Sequence, residues 1–159
     1  MHDFVNTPLG WFHFITALIS MLSGTYVLFQ PKGTQLHKRF GYLYVLSMVL
    51  VCGSALGVYN ITGDFGVFHT LAIAGLLTLV LGISPLFLKN INSKHRIFHL
   101  WFMYYSVLGL YAAFVSELSL RIPEKPSYSA VGITSVTVFI FGSIFIFWKE
   151  KTWKNYFKE

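Results

Sequence analysis

FVNTPLGWFHFITALISMLSGTYVLFQP, residues 4–31, contains no charged residue and places one histidine, His13, inside its apolar run. Crossing about 30 Å of hydrocarbon takes roughly 20 apolar residues, so this stretch is long enough to span a bilayer. Residues 40–63, 65–88, 97–116 and 126–148 are likewise uncharged and of spanning length. A soluble chain of 159 residues could bury one such helix, hardly five. Only 11% of the chain is charged and 55% is hydrophobic, a charged share well under half that of a soluble domain. The expectation is an all-α membrane protein with five transmembrane helices, at about 8–30, 36–59, 66–88, 94–120 and 127–148. They would form a four-helix core bundle with a peripheral fifth helix, in a single membrane domain, followed by a cytoplasmic tail at 149–159.

The net charge of +6 is distributed in a way that argues against nucleic acid. Lys32, Lys38 and Arg39 fall between spans 1 and 2, Lys89, Lys94 and Arg96 between spans 3 and 4, and Lys149, Lys151, Lys154 and Lys158 in the tail. Arg121 and Lys125 alone fall on the other side, with Asp3, Asp64, Glu117 and Glu124. Short loops that concentrate Lys and Arg stay cytoplasmic, which predicts an outer N-terminus and a cytoplasmic C-terminus. Met1-His2-Asp3 lacks the basic region of a signal peptide, and the first apolar run is too long for one.

Local signals set the helix ends. Pro8 suits a first helical turn, Thr34 and Ser93 are candidate N-caps of spans 2 and 4, and Pro85 should bend the inner end of span 3. The tail KEKTWKNYFKE reads as an interfacial helix. Ser20 with Gly24, and Gly53 with Gly57, have the spacing at which small residues let membrane helices approach. Cys52, the single cysteine, reads as a packing residue. Asn60-Ile61-Thr62 is a glycosylation sequon that matters only in a eukaryotic secretory pathway.

Histidines carry the chemical signal, because polar side chains at membrane depth are costly and usually face inward. At 100° per residue, Ala17, Ser20 and Gly24 share the face of His13. Gly41, Tyr44, Met48 and Ala55 share that of His37, and Ile73, Leu76 and Val80 that of His69. Met103, Ser106, Leu110, Ala113 and Glu117 share that of His99, with His95 one turn below. His13, His69 and Glu117 belong to an outer layer, and His37, His95 and His99 to an inner one. His99 and Glu117 are about 27 Å apart along a helix rising 1.5 Å per residue.

Three chemistries fit. The leading one is haem b, with His13/His69 and His37/His99 as axial pairs for transmembrane electron transfer. His95 would compete as the inner ligand, Lys38, Arg39 and Arg96 would neutralise propionates, and a quinol or redox partner would supply electrons. The second is an outward-facing zinc, iron or copper ion held by His13, His69 and Glu117. The third is proton or substrate translocation past the histidines, Tyr44, Ser106 and Glu117. Against these stands a structural reading, in which the histidines position helices in a small subunit of a membrane complex and the cationic cluster meets lipid headgroups. Glu117 could then simply pair with Arg121.

KGTQLHKRFGYLYVLSM (32–48), FHTLAIAGLLTLVLGI (68–83) and HLWFMYYSVLGLYAAFVSELSLRIP (99–123) resemble an uncharacterised family of predicted bacterial multi-pass membrane proteins. Its patterns are His-x-x-x-Gly-x-x-Tyr, matched by His37, Gly41 and Tyr44, and Phe-His, matched by Phe68 and His69. The third is His-x-x-Phe-Met-x-x-Ser-x-x-Gly-Leu, matched from His99 through Ser106 to Leu110. The resemblance implies a bacterial cytoplasmic membrane location, a shared polar site and His99 as the inner ligand over His95, but no reaction.

Overall fold

Thr7 and Pro8 start the first helix as their chemistry dictates. The Thr7 hydroxyl accepts the Gly10 N–H at 3.0 Å, and Pro8, whose missing N–H has no partner to lose at this position, opens the helix. The computed structural model describes residues 7–57, 65–121 and 128–155. It contains helices α1 (Pro8–Phe29), α2 (Gln35–Leu56), α3 (Val67–Ile83), α4 (Ser93–Arg121) and α5 (Tyr128–Asn155). No strand occurs among the described residues. Five helical segments are long and apolar enough to cross a membrane, in agreement with the sequence.

The connectors explain the helix limits. Between α1 and α2, Gly33 takes φ +82°, a left-handed conformation that glycine adopts without steric cost. Thr34 then caps α2. At the C-terminal end of α3, where Pro85 was expected to bend the span, the chain passes into a 3-10 turn, Ser84–Phe87. The cap of α4 is Asn92 rather than Ser93: the Asn92 side chain accepts the His95 N–H at 3.0 Å. Helix α5 continues to Asn155, past the expected start of a separate tail. Trp153 is buried against Tyr104 and Phe145, with ring centroids 5.8 and 6.1 Å away. The sequon at 60–62 lies outside the described residues.

The helices group into two units, Met1–Leu79 and Val80–Glu159. In the first, α1 and α2 are antiparallel, linked by His13–Ser54, Ser20–Met48 and Tyr26–Phe40 contacts in succession. The buried residues of α1 are Gly10, Thr16, Ser20, Ser23 and Gly24, all small or hydroxylic. Outward stand Leu9, Trp11, Phe12, Ile15 and Leu22, the last 73% exposed. Each such side chain would gain about 1.5–3 kcal/mol by leaving water, so an outward apolar and inward polar arrangement fits lipid. Ser20 and Gly24 pack as expected. Gly53 faces outward with open space around it. On α3 the inward face is His69, Ala72 and Leu79, whereas Ile73 and Val80 are exposed. The face is rotated from the expected one because Ala72 and Gly75 are small enough for close approach, with Cys52 and Met48 filling the space beside Gly75.

In the second unit, α4 and α5 form another antiparallel pair. The fifth helix, expected at the periphery, carries no ionisable group between Ser129 and Trp148 but does carry serine, threonine and glycine, and these meet α4. The Tyr104 hydroxyl donates to the Gly142 carbonyl at 2.6 Å. The Ser116 hydroxyl, fully buried, lies 2.8 Å from that of Ser135 and 3.2 Å from that of Thr134.

Candidate functional site

Three helices carry a histidine at the same place in their first turn, and at two of them the ring caps the helix. The carbonyls of Thr34, Gly66 and Asn92 accept the first intrahelical bonds of α2, α3 and α4, which makes these residues the N-caps. Three residues further on, at position N3, stand His37, His69 and His95. At this position a capping box places Glu or Gln, whose side chain reaches back to the N-cap backbone N–H. His69 does so through Nδ1, which accepts the Gly66 N–H at 3.1 Å. His95 completes a reciprocal box: its Nδ1 accepts the Asn92 N–H at 3.3 Å while Asn92 Oδ1 accepts the His95 N–H. At α2 the Thr34 hydroxyl accepts the His37 N–H at 3.2 Å.

These bonds fix proton positions. A ring nitrogen that accepts an N–H holds a lone pair, so neutral His69 and His95 carry their proton on Nε2. His13 and His99 have the opposite arrangement. His99 Nδ1 lies 2.7 Å from the Gly82 carbonyl, which can only accept, so Nδ1 holds the proton. Gly82 belongs to the last turn of α3, whose carbonyls lack intrahelical partners, and His99 thereby ties α4 to the end of α3. His13 Nδ1 is 2.9 Å from the Ser54 hydroxyl, whose own proton goes to the Val51 carbonyl at 2.9 Å. His13 is therefore the donor, clamping α1 to α2.

His69 is 3% exposed and stacked on Phe65, centroids 5.0 Å apart. His13, His37, His95, His99 and Glu117 are half-buried. Tyr44, Met48 and Ser106 are buried, and Ser20 donates to the Met48 sulfur at 3.7 Å. Lys38, Arg39 and Arg96 are exposed, as a solvated cationic fringe would be. The Arg121 side chain, offered as a partner of Glu117, lies outside the described residues.

His13, His37 and His69 belong to the first unit and His95, His99 and Glu117 to the second. The His37/His99 pair, the His13/His69/Glu117 triad and the Tyr44–Ser106–Glu117 path each draw on both units. Among the described residues, no three His, Cys, Asp or Glu side chains gather as a metal-binding group.

Two polar features escaped the sequence reading. One is the Ser116–Thr134–Ser135 cluster, whose uncharged hydroxyls lie scattered in apolar runs and give no pattern in the sequence. The other is Lys32. Its ammonium donates to the Val27 and Leu28 carbonyls at 3.1 and 2.9 Å, closing the C-terminus of α1 as lysines near helix ends can. Burial pushes its pKa down from 10.5 to about 8.

Compared with family models, curated proteins and solved structures, the chain finds no match in any of the three.

Proposed function

We propose that this membrane protein acts through its fold, as a small multi-pass subunit of a membrane complex whose histidines are helix caps and clamps. The observation that supports this reading is the engagement of Nδ1 in four histidines: Gly66 and Asn92 N–H groups at His69 and His95, Ser54 at His13, Gly82 at His99. Each bond serves a helix end or a helix–helix contact. The connectors between the described helices are too short to hold a soluble catalytic module. In the same reading the chain sits in the bacterial cytoplasmic membrane, N-terminus outside and C-terminus in the cytoplasm. Lys38, Arg39 and Arg96 then meet anionic headgroups.

Substitution at His69 tests it. Glutamine can accept the Gly66 N–H as it does in a capping box but is a poor substitute for an axial imidazole. His69→Gln should keep the wild-type thermal stability in detergent, and His69→Ala should lose about 1 kcal/mol, the worth of a typical helix cap. Equal loss in both variants would contradict the structural role.

Haem b is the second reading, favoured by His13 and His99. Iron-ligating imidazoles commonly donate their other ring N–H to a carbonyl or hydroxyl, which fixes Nε2 as the ligand nitrogen, and both residues have that arrangement. His69 and His95 do not fit, since their neutral rings carry the proton on Nε2. A bound haem would supply one-electron transfer, with quinol as an electron source of suitable chemistry. In that case the axial ligands would be sought among His13, His37 and His99.

A further inference from the structure

The box at the start of α4 has a property that the usual Glu or Gln version lacks. Its second acceptor is an imidazole nitrogen, which loses its lone pair when it is protonated, and histidine is the side chain that changes state near neutral pH. We infer that the Asn92–His95 pair is a proton-operated lock on the first turn of α4. With His95 neutral, both reciprocal bonds are made. With Nδ1 protonated, two N–H groups face each other and the bond from the Asn92 backbone is lost.

The lock is placed where release would matter. His99, one turn further along α4, holds the Gly82 carbonyl at the end of α3, and α4 packs against the 3-10 turn Ser84–Phe87. Loosening the first turn of α4 therefore acts on the clamp that joins these elements. His95 is half-buried, between the exposed Lys94 and Arg96, so protons reach this end of the helix from water. The other charged or titratable groups described at this end are Lys89 and His99, with Lys149 and Glu150 on α5. The inference holds whether the second unit serves as a scaffold or carries a cofactor at His99, because His95 is a ligand in neither case.

The direct test is amide exchange of the full chain in lipid nanodiscs at pH 7.5 and 5.5, corrected for the intrinsic pH dependence of exchange. The Asn92 amide and the first turn of α4 should lose roughly five- to tenfold in protection at the lower pH, the scale of one lost helix cap. His95→Gln, which keeps an acceptor that does not titrate, should stay protected at both pH values; His95→Ala should be unprotected at both. Wild-type protection that is the same at both pH values would overturn the inference. So would a His95→Gln variant that loses protection as the wild type does, since another group would then be responsible. A readout without mutation is the ring nitrogen spectrum of the wild type at pH 7.5. His95 should carry its proton on Nε2, and a proton on Nδ1 would overturn the lock even if the variants failed to fold.

Discussion

The PKGT connector shows how much a few residues decide. Pro31 stops α1, Lys32 reaches back to its last carbonyls, Gly33 takes a left-handed turn, and Thr34 caps α2, with His37 at N3. Residues 31–34 thus act together as a helix–turn–helix connector. The same local chemistry makes a pH prediction. Below about pH 8 Lys32 is a cation in both folded and unfolded chains, and the folded one bears the cost of its lost hydration, offset in part by the Val27 and Leu28 carbonyls. Between about 8 and 10.5 the folded chain has released the proton and the unfolded chain has not, so stability rises with pH across that window. The contribution is complete above 10.5 and is lost as the pH falls through about 8. Isotope-labelled dimethylation of the lysines followed by an NMR titration should give Lys32 a midpoint near 8. A midpoint near the ordinary lysine value would contradict the burial.

At the scale of the helix, the spans were legible because hydrocarbon thickness leaves one solution for long uncharged runs. Their faces were legible only where polarity marked them. Ser20, Gly24, Tyr44 and Met48 turned inward as their spacing required, but α3 offers only apolar residues besides His69, Thr70 and Thr78, and there residue size chose the face. The histidines were visible from the start, and so was their spacing behind Thr34, Gly66 and Asn92. That spacing belongs to helix caps; depth in the membrane drew attention to ligand chemistry instead. Helix pairing also makes a sharp prediction at Gly142. A Cβ added there would run into the Leu108 side chain, while the Gly142 carbonyl holds the Tyr104 hydroxyl. Gly142→Ala should therefore destabilise the α4–α5 pair by about 1–3 kcal/mol, the usual cost of overpacking, despite alanine's better helix propensity. Adding Leu108→Ala should recover part of that loss. Thermal unfolding of the single and double variants in detergent measures the coupling, and strict additivity would show that the two residues do not meet.

For the whole molecule, the exposed apolar surface of every helix and the hydroxylic seams between paired helices describe a protein whose solvent is lipid. The proposed orientation rests on ten basic residues clustered around the α1–α2 and α3–α4 connectors and at the C-terminal end of the chain, against Arg121 and Lys125. Reporters of periplasmic and cytoplasmic location inserted after residue 60 and after residue 92 should report opposite faces, outer and inner respectively. Agreement between the two would remove a span and invert the layers to which the histidines were assigned.

If the histidines build helix ends rather than hold iron, the protein owes neither colour nor stability to a cofactor. The most direct measurement is the absorption spectrum of the wild-type chain, purified from haem-sufficient cells and followed by thermal unfolding of the same protein from haem-depleted cells. The account predicts a colourless protein with no Soret band and the same unfolding midpoint from both sources. A Soret band in stoichiometric amount that shifts on reduction and is lost on replacing His13 or His99 would contradict it, and would establish haem at the two histidines whose Nδ1 protons are already committed.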